Sequence, residues 1–288
     1  MKVRLVDVDG IMPIIPLMQV SKYHKKLGDD VDWHNPMMDE EEKPDLVYAS
    51  KLFDFSDDYL YFPDCKIIKG GTGYDIYSKL PPEIERITKL DYSIYPKCDY
   101  SIQFFSRGCI KERKCPFCVV KRKEGLIHPV EPYKLNPRGK HIEVFDNSFF
   151  GNPEWKSAAE QLIAWEQPVN LHGVDARIMT EEHAWYLNKM KHYKQIHIAW
   201  DDPRVDLTET LQQITKYIKP YKLMCYVLIG FWSTPEEDLY RVEKLRELGI
   251  DPFVMPFDKK NKYQKKFARW VNHKAIFKTV KWQDYRAS

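Results

Sequence analysis

Short apolar segments alternate with helical patterns six times between about residues 100 and 255 of this 288-residue chain, and this rhythm most limits the folds open to it. Strands that alternate with helices build a parallel sheet. Helix-start signals follow the strands at Asn152-Pro153, at Thr180-Glu181-Glu182 and at Thr234-Pro235-Glu236-Glu237. We therefore predict an α/β fold with a six-strand partial (β/α)6 barrel of TIM type. The predicted strands lie near 100–105, 141–145, 169–172, 195–199, 223–229 and 252–255.

A smaller α/β segment precedes these units. It contains a strand (VRLVDV), an amphipathic segment (LMQVSKYHKKLG), an acidic loop (MMDEEEKPD) and a second strand (LVYAS), which is a βαβ rhythm. A third short strand, Lys66 to Ile68, runs into Gly70-Gly71-Thr72-Gly73, and a Pro-rich connector follows. We predict a small α/β domain over 1–90, the partial barrel over 91–258 and a basic helix that closes the barrel over 259–288.

The composition is that of a folded protein outside the membrane. No apolar run approaches the roughly 20 residues of a membrane helix, and the start, MKVRLVDVDG, carries two carboxylates where a signal peptide would be apolar. We expect a cytoplasmic protein with no membrane contact. Six cysteines in a reducing compartment rarely form disulfides, so clustered ones are expected to bind a metal or to act in redox chemistry.

Three cysteines fall within ten residues, in the segment SRGCIKERKCPFCVV directly after the strand YSIQFF. Cys109, Cys115 and Cys118 have the spacing C-x5-C-x2-C. Three thiolates on one loop can hold an iron-sulfur cluster and leave one iron open to another ligand. The loop follows the first barrel strand, at the end where β/α barrels have their active sites. The alternatives are a structural zinc site completed by Cys98 or a histidine, and unligated thiols.

The motif and the β/α units that follow it resemble the radical S-adenosylmethionine (radical SAM) superfamily, over roughly residues 92–257. The resemblance implies a [4Fe-4S] cluster on the three cysteines, with S-adenosylmethionine on the fourth iron. It implies reductive cleavage to a 5′-deoxyadenosyl radical that abstracts hydrogen from a substrate, and a flavodoxin- or ferredoxin-like electron donor. The commonest spacing in the family is C-x3-C-x2-C, so this chain has two more residues in the first gap. A non-catalytic zinc or iron-sulfur module that binds a partner is the alternative function.

Polar side chains follow consecutive predicted strands, at the end where a β/α barrel binds its ligands. Carboxylates there can bond the ammonium or ribose hydroxyls of S-adenosylmethionine, and Arg177 can hold its carboxylate in a two-pronged hydrogen bond. The alternative for each is helix capping or loop solvation. These residues are Asp146, Asn147, His172, Asp175, Arg177, Asp201, Asp202 and Arg204.

Two further residues are assigned to the cofactor. Phe117 stands directly before the last cysteine, where the resemblance implies an aromatic that touches the adenine; the alternative is a loop aromatic that packs inward. Gly230 would let the backbone approach a bound ligand, or would serve a turn. The isolated cysteines Cys65, Cys98 and Cys225 are predicted to be buried small hydrophobes.

The amino-terminal segment resembles a truncated flavodoxin-like, cobalamin-binding domain of a radical SAM subgroup. Its D-x-H-x-x-G signature is absent, because Val8, Asp9 and Gly10 follow Asp7 and no histidine is available to coordinate cobalt. Whether this segment binds cobalamin is left open. The preferred interpretation is a vestigial domain that covers the active site. The glycine cluster at 70–73 is where a cofactor tail or a phosphate could lie.

The carboxyl-terminal segment is strongly basic, with nine Lys or Arg and no Asp or Glu between Lys259 and Lys281. We predict one helix from Tyr263 to Phe277 that packs its aromatic stripe inward. Basic and aromatic groups together can hold RNA, so an RNA or protein substrate is one prediction and a small metabolite the other. A solvated basic face is the alternative.

Overall fold

The computed structural model describes residues 1–110 and 118–286 and shows a mixed α/β protein. The chain divides into two compact units. Of the described residues, the first unit holds 1–102, 118–126 and 131–140, and the second holds 103–110, 127–130 and 141–286. The domain limits given above stay a prediction.

The elements of the first unit are β1 (Lys2–Asp7), α1 (Ile15–Lys26), β2 (Asp30–Trp33), α2 (Asp39–Glu42), β3 (Leu46–Ser50), β4 (Lys66–Gly70), α3 (Pro82–Glu85) and α4 (Val120–Glu124). The four strands form a parallel sheet in the order β2-β1-β3-β4. The strands and helix predicted in this region are confirmed, whereas β2 was not predicted.

The core of this unit follows from its apolar strands. Val6 on β1 packs with Val47 and Ala49 on β3, and the half-buried Cys65 and Ile67 pack against this cluster. Burial of apolar surface of this kind contributes about 25 cal/mol per Å² removed from water. The sheet is therefore stabilised at its centre, where β1 and β3 pair in register.

The second unit contains the six predicted strands, at the predicted positions. They are numbered β5 (Ser101–Gln103), β8 (Ile142–Val144), β9 (Val169–Leu171), β10 (Ile196–Ala199), β11 (Leu223–Ile229) and β12 (Asp251–Pro256); the division between the units falls within β5. Its other elements are β6 (Ser106–Arg107), β7 (His128–Pro129), α5 (Trp155–Ala164), α6 (Glu181–Lys189), α7 (Thr208–Thr215), α8 (Pro235–Glu247), α9 (Lys262–Asn272) and α10 (Lys274–Thr279).

These strands form two parallel three-stranded sheets, β5-β8-β9 and β10-β11-β12. Two isolated parallel bridges involve this region: Val169 on β9 pairs with His192, and Asp175, beyond β9, pairs with Ala199 at the end of β10. The parallel α/β arrangement is confirmed. Closure of the six strands into a partial barrel stays a prediction.

Helix starts agree with the sequence signals at two of the three places. Thr180 begins α6 and Thr234 begins α8, each accepting a hydrogen bond from the third residue of its helix in a capping box. At the third place, α5 begins at Trp155, two residues beyond Pro153, without a side-chain cap. Local capping thus fixes the ends of the helices that follow β9 and β11.

The single helix predicted from Tyr263 to Phe277 is two helices. α9 ends at Asn272, and His273 has non-helical dihedrals while its side chain accepts a hydrogen bond from the backbone N–H of Ile276. His273 therefore caps the start of α10. The apolar stripe is buried as predicted, with Trp270 and Phe277 in the core.

Candidate functional site

Of the predicted cluster ligands, Cys109 and Cys118 are described, while Cys115 and the neighbouring Phe117 lie outside the described residues. Cys109 and Cys118 are both half-buried, and neither forms a disulfide. Among the isolated cysteines, Cys98 and Cys225 are buried as predicted. Cys65 is only half-buried. The described thiols of the motif are thus more accessible than two of the three isolated ones.

Asp146 holds the chain just upstream of Cys109. One carboxylate oxygen accepts a hydrogen bond from the backbone N–H of Phe105 at 2.8 Å, and the other accepts from the Ser106 hydroxyl at 2.5 Å. Asp146 is 2% exposed, and burial raises its pKa to about 6 against the hydrogen bonds that lower it. Its side chain therefore fixes the chain at Phe105 and Ser106, shortly before Cys109, and both of its oxygens already accept hydrogen bonds. Asn147, the next residue, is exposed.

The two arginines at the strand ends are paired locally. Arg177 donates to both carboxylate oxygens of Asp175, with Nε to Oδ1 at 2.8 Å. Arg204 makes the same pair of bonds to Asp202, at 2.8 and 2.6 Å. The hydrogen bond that Arg177 donates to Asp175 raises the pKa of Arg177. The hydrogen bond that Asp202 accepts from Arg204 lowers the pKa of Asp202. A ligand carboxylate at Arg177 would have to share the guanidinium with Asp175.

Arg177 also lies within electrostatic range of Asp201 and Asp202, which raise its pKa further. The loops after β9 and β10 therefore come together, as predicted for neighbouring strand ends. The backbone carbonyl of Asp201 accepts a hydrogen bond from Arg241 at 3.4 Å, and Asp201 itself is half-buried.

Gly230 has a packing role. Its φ of +77° lies in the left-handed region, and a Cβ there would overlap the side chain of Gln264. Gln264 is buried and accepts a hydrogen bond from the N–H of Asp258 at 2.9 Å. A glycine is needed at 230 for this close approach.

A group of polar side chains on the second unit's strands was largely missed from the sequence. Alternate strand residues point to opposite faces, and Ile142, Val144, Val169 and Leu171 are buried on one face. We call the polar residues on the opposite face, Glu143, Asn170, His172 and His197, the polar face. His172 was named as a strand-end residue, and the other three were not.

Glu143 is the centre of the polar face. Its Oε2 accepts hydrogen bonds from His172 Nε2 at 2.6 Å and from Asn170 Nδ2 at 2.7 Å, and its Oε1 accepts from His141 Nε2 at 2.8 Å. Burial would raise the pKa of Glu143, but the hydrogen bonds from these three residues outweigh it and hold the pKa below its ordinary value. Glu143 is therefore a carboxylate at neutral pH.

The carboxylate determines how His172 is protonated. A carboxylate only accepts hydrogen bonds, so Nε2 of His172 carries a hydrogen, and Nδ1 is the nitrogen that accepts whenever the ring is neutral. The ring stacks on Phe145 with centroids 4.6 Å apart and planes 5° apart, while 38% of the side chain stays exposed. His172 is thus oriented on two sides and accessible to a ligand.

Two atoms of the polar face are buried without a hydrogen-bond partner among residues 1–110 and 118–286, namely Asn170 Oδ1 and His197 Nδ1. Asn170 is only 7% exposed. Burial is the main cause that lowers the pKa of His197, so this ring is neutral at pH 7. Buried polar atoms are rarely left unsatisfied, because each costs about 1–3 kcal/mol.

The sequence did carry a signal for the polar face. Strands of a parallel sheet that is covered on both faces read as nearly continuous apolar runs. Here HIEV, VNLH and IHIA place polar residues at every second position within strands that are otherwise Val, Ile and Leu. That alternation indicates an inner face that is not packed with apolar side chains.

The glycine turn of the first unit packs against its own backbone. Gly71 has φ +96°, and a Cβ there would overlap the carbonyl oxygen of Lys51. A Cβ on Gly73 would lie 2.5 Å from the carbonyl oxygen of Phe53. Asp9 accepts from the Leu52 N–H at 2.5 Å. The residues that were candidates for a cofactor tail thus make close contacts within the unit.

Comparison with known proteins identifies no relative: no protein-family model matches the chain, and no curated protein is significantly similar to it. In the described part of the chain, no three His, Cys, Asp or Glu side chains gather as metal ligands. Among the same residues, no helix has both the length and the apolar character needed to cross a bilayer.

Proposed function

We propose that this protein is a radical SAM enzyme that uses a [4Fe-4S] cluster on Cys109, Cys115 and Cys118. The observation that carries the proposal is the place of the C-x5-C-x2-C motif in the order of elements. Cys109 follows β5 and β6, and β8 to β12 alternate with helices further along the chain. This order is the one in which a cysteine loop leaves the first strand of a partial β/α barrel.

The donor set suits such a cluster. Thiolates are the usual protein ligands of iron-sulfur clusters, and three of them leave one iron open. Cys109 and Cys118 are accessible and outside any disulfide, which the ligand role requires. With S-adenosylmethionine on the open iron, the cluster would supply reductive cleavage to a 5′-deoxyadenosyl radical, with the electron coming from a flavodoxin- or ferredoxin-like protein.

The chain's own residues have supporting roles in this proposal. Asp146 fixes the backbone of Phe105 and Ser106, so it positions the loop that begins at Cys109. Phe117, Asn147, Arg177 and Asp201 stay proposed as S-adenosylmethionine contacts. The first unit is proposed as a truncated, vestigial cobalamin-type domain, and its self-packed glycine turn argues against cobalamin binding there.

The proposal is tested by anaerobic reconstitution of the full chain with iron and sulfide. We expect a brown protein and dithionite-dependent release of 5′-deoxyadenosine from S-adenosylmethionine. Cys115→Ala should abolish this release, because it removes one of three cluster ligands. Cys65→Ala, which removes a half-buried thiol outside the motif, is the matched control and should retain it.

A colourless, zinc-loaded protein after this treatment would contradict the proposal and favour the alternative of a non-catalytic metal module. An iron-sulfur protein that releases no 5′-deoxyadenosine would contradict it as well, because the cluster would then have a structural role only.

RNA stays the proposed macromolecular substrate, at the basic side of α9 in a cytoplasmic protein. Lys262, Lys265 and Arg269 are exposed there, whereas Trp270 and Phe277 are buried and do not offer their rings to bases. Binding would therefore depend on phosphate contacts and fall steeply with salt. Loss of salt-sensitive tRNA retention in a variant with Lys265→Ala and Arg269→Ala would support it, and unchanged retention would contradict it.

A further inference from the structure

The polar face has the properties of a binding site rather than of a packed core. Its central carboxylate, Glu143, is fully engaged by three hydrogen-bond donors within the unit. Two buried hydrogen-bonding atoms of the polar face, Nδ1 of His197 and Oδ1 of Asn170, have no partner among the described residues. The side chain of His172 is 38% exposed beside them. A core that only had to be stable would satisfy or replace these groups.

We propose that the polar face binds a hydroxyl-bearing ligand and that His172 accepts a proton from one of its hydroxyls. The orientation of Asn170 supports this. Its Nδ2 donates to the Glu143 carboxylate, so the amide cannot be turned around, and Oδ1 is fixed as an acceptor. Because Nε2 of His172 donates to Glu143, Nδ1 is the nitrogen of this ring that can accept a hydrogen bond or a proton. Two acceptors at one face require a ligand that supplies donors.

Hydroxyl groups meet this requirement better than charged groups. A carboxylate or phosphate supplies no donor to Asn170 Oδ1. An ammonium group would need a counter-charge, and the Glu143 carboxylate already accepts hydrogen bonds from His141, His172 and Asn170. A hydroxyl can donate to an acceptor and accept from His197, whose neutral ring can present either tautomer.

Aromatic rings beside the polar face suit the carbon skeleton of such a ligand. Tyr226 lies 5.2 Å from His197 between ring centroids, and Tyr226 pairs in register with Phe253 on β12. Cross-strand partners share a face of the sheet, and Phe253 is 38% exposed. A polyol would thus meet hydrogen-bonding groups on β8 to β10 and ring surfaces on β11 and β12.

The proton transfer is balanced within this arrangement. The O–H bond of the ligand breaks, its proton joins the lone pair of His172 Nδ1, and the electron pair stays on the ligand oxygen. The resulting imidazolium keeps its Nε2–H bond to Glu143, whose negative charge stabilises it. The reverse step returns the proton to an alkoxide.

This inference rests on the proposed function only in naming the substrate class of that enzyme, and its test needs neither the cluster nor S-adenosylmethionine. Diethyl pyrocarbonate modifies accessible, unprotonated imidazole nitrogens, and peptide mass spectrometry of the full chain would follow each histidine. We expect His172 to be modified, and D-ribose or glycerol to slow its modification saturably. The exposed His128 is the internal control, and its modification should not change.

Asn170→Leu removes the buried acceptor while keeping the side-chain size. We expect it to raise the polyol concentration needed for half-protection of His172 about tenfold, the effect of one lost hydrogen bond of about 1.4 kcal/mol. His197→Phe, which keeps an aromatic ring without Nδ1, is a second variant and should act in the same direction.

Failure of both polyols to protect His172 in the wild-type chain would overturn the inference. Equal protection in wild type and both variants, or protection by methylammonium in place of the polyols, would overturn it too. Protection together with absent 5′-deoxyadenosine release would leave the hydroxyl-binding site standing and refute the radical SAM proposal alone.

Discussion

The two units treat the polar groups of their sheets differently. In the first unit, strand-end carboxylates are satisfied locally: Asp9 accepts from Leu52 and Ser56, and Asp7 accepts from Gly10 and Tyr95. Within the described residues, no buried side-chain nitrogen or oxygen of that unit lacks a partner. In the second unit, Ser148 Oγ beyond the end of β8 lacks a partner among the described residues, and so do Asn170 Oδ1 and His197 Nδ1 of the polar face. The two units thus differ in how fully they satisfy their buried polar side chains, and the hydroxyl site proposed above lies in the unit that leaves some of them unsatisfied.

The largest effect is expected at the buried ion pair of the second unit. Arg241 donates to Asp238 at 2.8 Å and to the carbonyls of Trp200 and Leu228 at 2.9 and 3.0 Å, and both charged residues are 1% exposed. Arg241→Leu leaves a buried charge unpaired, so it should lower the free energy of unfolding by about 3–5 kcal/mol. Urea denaturation measures this change.

The control for that substitution is Lys244→Leu, which breaks the exposed pair with Glu247 and should lower the free energy of unfolding far less than Arg241→Leu does. Equal losses in the two variants would show that the strand ends of the second unit do not depend on Arg241.

A smaller, pH-dependent effect is expected at Asp146. Its pKa of about 6 in the folded chain exceeds that of an unfolded Asp, near 3.9, so the folded state binds the proton more tightly. The stability contributed by this group is present below pH 4 and is lost as the pH rises through 6. The side chain of the Asp146→Asn variant does not titrate. Between pH 4 and pH 7, the free energy of unfolding of wild type should therefore fall by on the order of 2 kcal/mol relative to that of the variant.

Unfolding curves of the two proteins over this pH range make the comparison. Parallel curves would contradict the assignment of a buried, titrating carboxylate. At pH 7 the Asp146→Ala variant should be less stable than both wild type and Asp146→Asn, because it leaves the Phe105 N–H and the Ser106 hydroxyl without their acceptor.

The smallest effect is expected in the first unit, at its glycine turn. Gly71 and Gly28 both have positive φ, but only Gly71 has backbone atoms where a Cβ would lie. Gly71→Ala should therefore lower the free energy of unfolding by about 1–2 kcal/mol more than Gly28→Ala does, and its melting temperature should be correspondingly lower. Thermal unfolding of the two variants tests this. Equal losses in melting temperature would mean that the turn has space at Gly71, and a ligand could then be considered there again.

Element positions followed from sequence wherever apolar pattern and turn signals agreed. The six strands of the second unit are rich in Val, Ile and Leu and are bounded by helix starts, so their positions were predictable. β2 was missed because its sequence, DVDW, is half acidic and pairs only with β1 at the edge of the sheet. The break at His273 was missed because a side-chain cap, not a Gly or Pro, ends α9.

The site was less predictable than the fold, for a physical reason. Spacing singled out the three cysteines as candidate cluster ligands, because few chemistries need three thiols on one loop, and this assignment stays a prediction. The environment of Asp146 depends on Phe105 and Ser106, about forty residues earlier in the chain, and the polar face depends on register between strands. Such pairings exist only once the sheet has formed.

The anchoring of the cysteine loop has a consequence for how this loop can vary. Asp146, on the second β/α unit, fixes the chain at Phe105 and Ser106, and Asn152 donates to the Phe105 carbonyl at 3.1 Å. On the loop side, these bonds involve only Phe105 and Ser106, which precede Cys109. A change in length between Cys109 and Cys115 would therefore leave this base anchored to the sheet, so evolution can vary the loop without rebuilding its base.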